Sequence, residues 1–188
     1  RMPLCYGGGV KSVEQIERIV SLGVEKVALS SVLTQNGKLV ADAAKRVGSQ
    51  SIVAVMDVRK SAGSNTYEIY THNGKQSTGC QPGMFARRME ELGAGEVVIN
   101  SIDRDGLMKG YDLDLVSQVR KATTLPLTVL GGAGSLKDIA SLIESYGIIG
   151  AAAGSLFVFK GVYRAVLINY PKRAEKDVLV DEARQKHL

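Results

Sequence analysis

Tryptophan is absent from this 188-residue chain, histidine and cysteine occur twice each, and aromatic residues make up only 5% of the sequence. Each shortage removes a class of function. With few rings to stack on bases, and with 24 basic residues scattered along the chain, the net charge of +5 does not read as a nucleic-acid surface. It suits a small anionic substrate instead. His72, His187, Cys5 and Cys80 lack ligand spacing, so no metal is expected, and no other cofactor is implied. The two cysteines read as unpaired thiols without chemistry. Neither histidine offers a Ser-His-Asp arrangement, and both read as surface residues. Apolar runs such as 148–159 are too short and too rich in Gly and Ala to span a membrane, and no cleavable secretory signal opens the chain. A cytoplasmic protein with no membrane partner is expected.

What the chain does have is a phrase stated twice. Residues 3–13, Pro-Leu-Cys-Tyr-Gly-Gly-Gly-Val-Lys-Ser-Val, return at 126–136 as Pro-Leu-Thr-Val-Leu-Gly-Gly-Ala-Gly-Ser-Leu. Each copy leads into an amphipathic segment and then a second short apolar run, 27–31 in the first copy and 151–155 in the second. Short β-rich runs alternate with helical-period segments throughout, the pattern of parallel βαβ units. Strands are expected near Leu4–Tyr6, Lys26–Ser30, Ser51–Asp57, Glu96–Ser101, Leu127–Leu130 and Ile149–Ala153. Helices are expected near Ser12–Leu22, Gly37–Val47, Pro82–Leu92, Leu113–Lys121, Leu136–Ser145 and Val162–Tyr170. Ser12 and Ser135 stand where N-caps belong, with only Gln15 completing a capping-box pattern. Gly23, Gly48, Gly93 and Gly147 stand where left-handed C-terminal residues belong. After Asp57 the rhythm breaks, and Thr66–Tyr70, a turn at Asn73-Gly74 and polar 75–78 read as a β-hairpin inserted on the active-site side.

The fold class that follows is α/β: a (β/α)8 TIM barrel of the half-barrel-duplication type, with six of its eight βα units in this chain. By the symmetry of the repeat, the other two units precede Pro3. A single barrel domain over 1–188, incomplete at its N-terminus, is expected, with residues 171–188 as a solvated helical tail. A natural six-unit open sheet is the alternative, and it exposes two strand edges.

Strand, Gly-Gly and helix start make a site for phosphate, because glycine lets the backbone approach an oxyanion and the first helical N–H groups point at it. One such turn is more often just a tight turn. Two copies, each followed one unit later by a small hydroxyl residue, give two sites: Gly9, Ser30 and Ser31, then Gly132, Ala133, Gly154 and Ser155. A substrate phosphorylated at both ends is implied. Asp57 ends an apolar run and falls at the carboxyl mouth, where barrel catalysis takes place; Asp103 and Asp105 lie similarly. A strand-end Asp often only caps a loop, but between two phosphate sites Asp57 reads as general acid or base. Arg104 reads as a surface charge or a substrate clamp, and Arg87-Arg88 as a solvated helix face.

These phrases, together with Val47-Gly48-Ser49-Gln50, Gly93-Ala94-Gly95-Glu96, 101–106 and Gly110-Tyr111-Asp112, resemble the cyclase subunit of imidazole glycerol phosphate synthase over nearly the whole chain. The resemblance implies a barrel that takes ammonia from a glutaminase subunit docked on its N-terminal face and reacts it with a doubly phosphorylated ribulosyl substrate. By position, Asp57 matches the second of two catalytic aspartates, the first lying upstream of Arg1. Asn100, Asp105 and Gly106 match substrate-contacting positions, and both phosphate sets match. Lys26 and Glu96 match the charged ammonia gate, their plainer reading being a structural ion pair at the bottom of the barrel. Glu25 would face the glutaminase.

Four departures point elsewhere. Ser30-Ser31 replaces Asn-Thr, Asn100 replaces Thr, and Leu130 replaces Ser. With the 154–171 ending, they resemble the glycosyl-amidation paralogue that makes acetamidino sugars for surface polysaccharide. The same residues are also compatible with a non-catalytic phosphate-binding scaffold for a glutaminase, or with a phosphosugar isomerase of the same ancestry.

Overall fold

The parallel βαβ reading rests on alternation, and the fold follows from it. In the computed structural model the described residues are 3–61, 63–161 and 163–187; Arg1, Val162 and Leu188, which bounded expected features, lie outside them. In chain order the elements are β1 (Cys5–Gly7), α1 (Val13–Ser21), β2 (Lys26–Leu29), α2 (Ser31–Gln35), α3 (Lys38–Val47), β3 (Ile52–Lys60), β4 (Tyr67–Thr71), β5 (Gln76–Ser77), α4 (Pro82–Glu91), β6 (Glu96–Ser101), α5 (Leu113–Arg120), β7 (Leu127–Leu130), α6 (Leu136–Tyr146), β8 (Gly150–Ala151), α7 (Ser155–Val158), β9 (Phe159–Lys160), β10 (Ala165–Val166) and α8 (Arg173–His187). Six strands pair in the order β1-β2-β3-β6-β7-β8, every neighbour parallel. This curled sheet with alternating helices is a partial (β/α)8 barrel.

Alternate strand residues fall on opposite faces. Val27, Leu29, Ile52, Met56, Val97 and Ile99 are each at most 1% exposed and pack in one core with Ile16 of α1, Val40 of α3, Met89 of α4 and Val116 of α5. Each such side chain stabilises the fold by about 1.5–3 kcal/mol relative to exposure. The opposite face of the same strands carries Lys26, Asp57, Glu96, Asn100 and Thr128 at the strand ends with Val53, Val55 and Val98 between them, so the concave wall is polar at its two rims and hydrocarbon in the middle.

Helix boundaries follow from local chemistry. The Ser12 hydroxyl accepts from the Gln15 N–H, and the Gln15 side chain accepts from the Ser12 N–H in return. Ser135 and Asp138 form the same reciprocal box at α6, which corrects the expectation that only Gln15 completes one: the shorter carboxylate still reaches the Gly134 and Ser135 N–H groups at 2.9 Å. Gly23, Gly48, Gly93 and Gly147, just beyond four helices, all take positive φ as expected.

Three further expectations change. Among the described residues, 163–170 contain no helix; Gly161 and Arg164 adopt positive φ and turn the chain between β9 and β10. The left-handed turn at Gly161 and Arg164 sets Ala165–Val166 antiparallel to Phe159–Lys160, which a helix through 163–170 would not allow. Asp57 lies within β3 rather than ending it, because β3 runs on to Lys60 and pairs antiparallel with β4. Ser30-Ser31 and Gly154-Ser155 do not merely finish strands; they enter the short helices α2 and α7. The largely exposed α8 packs on α6. No helix among the described residues is long and apolar enough to cross a membrane.

Candidate functional site

Parallel pairing sends β1 and β7 in one direction, so the glycine turns that follow them open at the same rim of the sheet. At the first, residues 7–11 and 28–32 with Gln35, Val55 and His72 enclose a cavity of about 500 Å³, bringing Gly9, Ser30 and Ser31 together. At the second, Asp105, Gly106, residues 130–133 and 153–155 surround a cavity of only about 10 Å³, gathering Gly132, Ala133, Gly154 and Ser155 with Asp105 and Gly106. Lys11, Gln35, Val55 and His72 are lining residues that the sequence reading did not place at a site. For His72 the signal lies in the strand register rather than in any motif.

The second turn is held by close backbone approach. Gly132 has φ +110° and accepts from the Gly110 N–H at 2.8 Å, and a Cβ at position 132 would drive into the Gly110 carbonyl. Arg104 braces this loop, donating to the Gly110 carbonyl at 3.2 Å and facing Asp112 at 3.7 Å. These contacts give it a structural role beside its two sequence readings. Asp103 is likewise a brace, accepting from the Lys60 N–H at 2.8 Å and pairing with Arg59 at 3.4 Å.

The two cavities lie at the two ends of the strand order, and β3 and β6 stand between them. On these central strands Asp57 pairs in register with Asn100, and Asn100 with Leu130. The Asn100 amide donates to Asp57 Oδ1 at 2.8 Å. That bond fixes the orientation of the Asn100 side chain, since the reverse would set two oxygens against each other. Asn100 Oδ1 is consequently the one buried side-chain polar atom among the described residues with no partner. A buried acceptor without a donor costs about 1–3 kcal/mol.

At the opposite ends of the strands, Lys26 of β2 reaches across β3 to Glu96 of β6, with Nζ and Oε2 2.5 Å apart. The Thr128 hydroxyl donates to the other Glu96 oxygen at 2.7 Å. Gly150 stands so close to Thr128 that a Cβ would overlap its hydroxyl. Burial pushes the Cys5 thiol upward, Glu96 adds to the rise, and Lys26 opposes it. Cys5 and Cys80 are both free thiols. Among the described residues no three His, Cys, Asp or Glu side chains are grouped to hold a metal ion.

The family described as histidine biosynthesis protein matches residues 1–164. A Leptospira interrogans protein provisionally named imidazole glycerol phosphate synthase subunit HisF is 51% identical over 179 residues, covering 95% of this chain and 70% of its own. A Vibrio vulnificus (strain YJ016) protein provisionally named subunit hisF3 of the same synthase is 54% identical over 176 residues, covering 94% and 68%. A protein of Alkaliphilus metalliredigens (strain QYMF), named imidazole glycerol phosphate synthase subunit HisF outright, is 38% identical over 161 residues, covering 86% and 64%. A match over most of the chain, with relatives at half identity, leaves one assignment: this chain belongs to the histidine biosynthesis protein family, among the enzymes named imidazole glycerol phosphate synthase subunit HisF.

Proposed function

We propose that this chain is the cyclase subunit of a two-component glutamine amidotransferase, using ammonia from a glutaminase partner on a doubly phosphorylated ribulosyl substrate to form imidazole glycerol phosphate. One observation carries the reading: Asp57, held by Asn100, stands on the central strands between two glycine cradles that open at one rim. Gly9, Ser30 and Ser31 hold one phosphate, and Gly132, Ala133, Gly154 and Ser155 the other. Asp105 and Gly106 border the second. Substrate spanning the cradles lies over Asp57, whose carboxyl oxygen takes up or returns a proton during ring closure. Asn100 orients that oxygen and offers its own Oδ1 to a substrate N–H or O–H.

Ammonia enters from the other end. The Lys26–Glu96 pair, buttressed by Thr128, stands at the starts of its strands and gates that entrance, and the glutaminase docks on the same N-terminal face, where it meets Glu25. The test is turnover of the phosphorylated ribulosyl substrate with an ammonium salt. Asp57→Asn should lower kcat by about 10²–10⁴, the range for loss of general acid–base catalysis, with the fold intact. A folded Asp57→Asn protein as active as the parent refutes the assignment.

A second reading has its own support. Leu130 lies in register beside Asn100, so the layer around Asp57 offers one hydrocarbon surface and one unsatisfied acceptor. A site so lined suits a different ammonia acceptor, as in the glycosyl-amidation paralogue that builds acetamidino sugars for surface polysaccharide. No turnover of the ribulosyl substrate by folded protein, with genes for polysaccharide synthesis alongside, would select this reading.

A further inference from the structure

His72 belongs to neither cradle by sequence, yet strand register delivers it to the first. β3 is nine residues long, and β2 pairs with it only as far as Leu29 opposite Ala54. Further along, at Asp57 and Val58, one edge of β3 is taken by Asn100 and Ser101 of β6. β4 therefore occupies the edge that β2 has vacated, running antiparallel with Tyr70 opposite Asp57. Continuing that register sets Thr71 beside Met56 and His72 beside Val55. Continuing β2 past Leu29 sets Ser30 beside Val55 as well. The two chains meet head-on at one slot, and both turn away there: β2 into α2, and β4 into the 72–75 turn. His72, Val55, Ser30 and Ser31 accordingly line one cavity.

The turn is fixed rather than loose. Arg59 donates to the Gly74 carbonyl at 3.1 Å while pairing with Asp103, and the Lys75 N–H donates to the Thr71 carbonyl at 3.1 Å. The Thr71 hydroxyl lies 3.1 Å from His72 Nδ1. With that hydroxyl donating, the ring proton rests on Nε2, leaving an N–H donor as the remaining polar group. His72 and Asn73 hold φ +53° and +58°, the successive left-handed residues that a tight hairpin turn requires, and this backbone sets where the His72 side chain leaves the tip.

We propose that His72 is a ligand-contacting residue of the first cradle, donating from Nε2 to a phosphomonoester oxygen held over Ser30 and Ser31. This rests on the reading of that cradle as a phosphate site. Lys11, lining the same cavity, adds positive charge. The second cavity is bordered by the carboxylate of Asp105, and Arg164 donates to the carbonyl of its lining residue Gly106.

Titration of this chain with inorganic phosphate, followed by amide NMR, separates the cradles: Gly9 and Ser31 report the first, Gly132 and Ser155 the second. His72→Gly should weaken the first-site dissociation constant about tenfold, the loss expected for one hydrogen bond to an anion, and leave the second site unchanged. Glycine relaxes the left-handed strain, so the melting temperature should hold or rise, which a purely structural histidine would not allow. His72→Asn, which tolerates the same backbone and keeps an N–H donor, should recover part of the affinity. Unchanged first-site binding in His72→Gly, or equal weakening at both sites, overturns the proposal. Failure of the parent protein to bind phosphate at Gly9 and Ser31 overturns the cradle reading along with it.

Discussion

Replacing Tyr67 by phenylalanine tests how the hairpin that carries His72 is anchored. The Tyr67 hydroxyl donates to Asp112 Oδ1 at 3.0 Å, and Asp112, 8% exposed, also caps α5 by accepting from the Leu115 N–H at 3.2 Å. Tyr67→Phe keeps the buried ring and deletes one hydrogen bond to a carboxylate. Bonds to charged groups contribute about 1.5–3 kcal/mol. Asp112 keeps Leu115 and Arg104, so the loss should be about 2 kcal/mol, or roughly 4–8 °C in melting temperature for a domain of this size. The pH dependence gives a second handle. Burial, then the hydrogen bond and charge of Asp112, push the Tyr67 phenol well above its ordinary value. A phenol raised on folding contributes stability that is complete below its unfolded pKa of about 10 and is lost as pH climbs toward the folded value. The parent protein should therefore lose more stability than Tyr67→Phe above pH ~10, and the gap between them should narrow there. Tyr111, pushed up to about 12 by burial and then by Asp138, titrates in both proteins and cancels in the comparison. Urea denaturation followed by circular dichroism, from neutral to alkaline pH, measures both effects. Equal midpoints at neutral pH, or a gap that stays constant into the alkaline range, would refute the reasoning.

Gly132→Ala should destabilise the protein by about 2–3 kcal/mol, combining the positive-φ penalty with a weakened bond to Gly110; phosphate binding reported by Ser155 should weaken with it, and denaturation and NMR titration check the two. Ser135→Ala removes one half of the α6 capping box and should cost about 1 kcal/mol, seen as a lower urea midpoint with unchanged phosphate binding at the first cradle.

The scaffold was legible because parallel strands buried on both faces leave nearly continuous apolar runs, as at 52–56 and 97–99, with glycines ending the helices between them. The two cradles were legible because their chemistry is local and stated twice. The side chains that brace them were not. The sequence leaves Arg104 as a surface charge or a substrate clamp and Asp103 as a loop cap or a functional carboxylate, and it does not supply their partners Gly110, Asp112, Arg59 and Lys60. Among the described residues the expected helix is absent over 163–170 because apolar spacing there suits either period, and the left-handed turn at Gly161 and Arg164 decides the outcome. His72 looked like a surface residue, and it is exposed. Its place over Ser30 emerges only from counting residues along two strands that compete for the same edge of β3.

Arm length in that hairpin acts as a dial. Each residue advances a strand by roughly 3.4 Å, so an extra pair in the arms would push the tip into space already occupied by the end of β2, and one pair fewer would withdraw it. Relatives whose arms differ by a pair would thus hang another side chain above the same two hydroxyls, or none. Changes in what is bound could then come from insertions and deletions, with every residue of the underlying cradle left as it was.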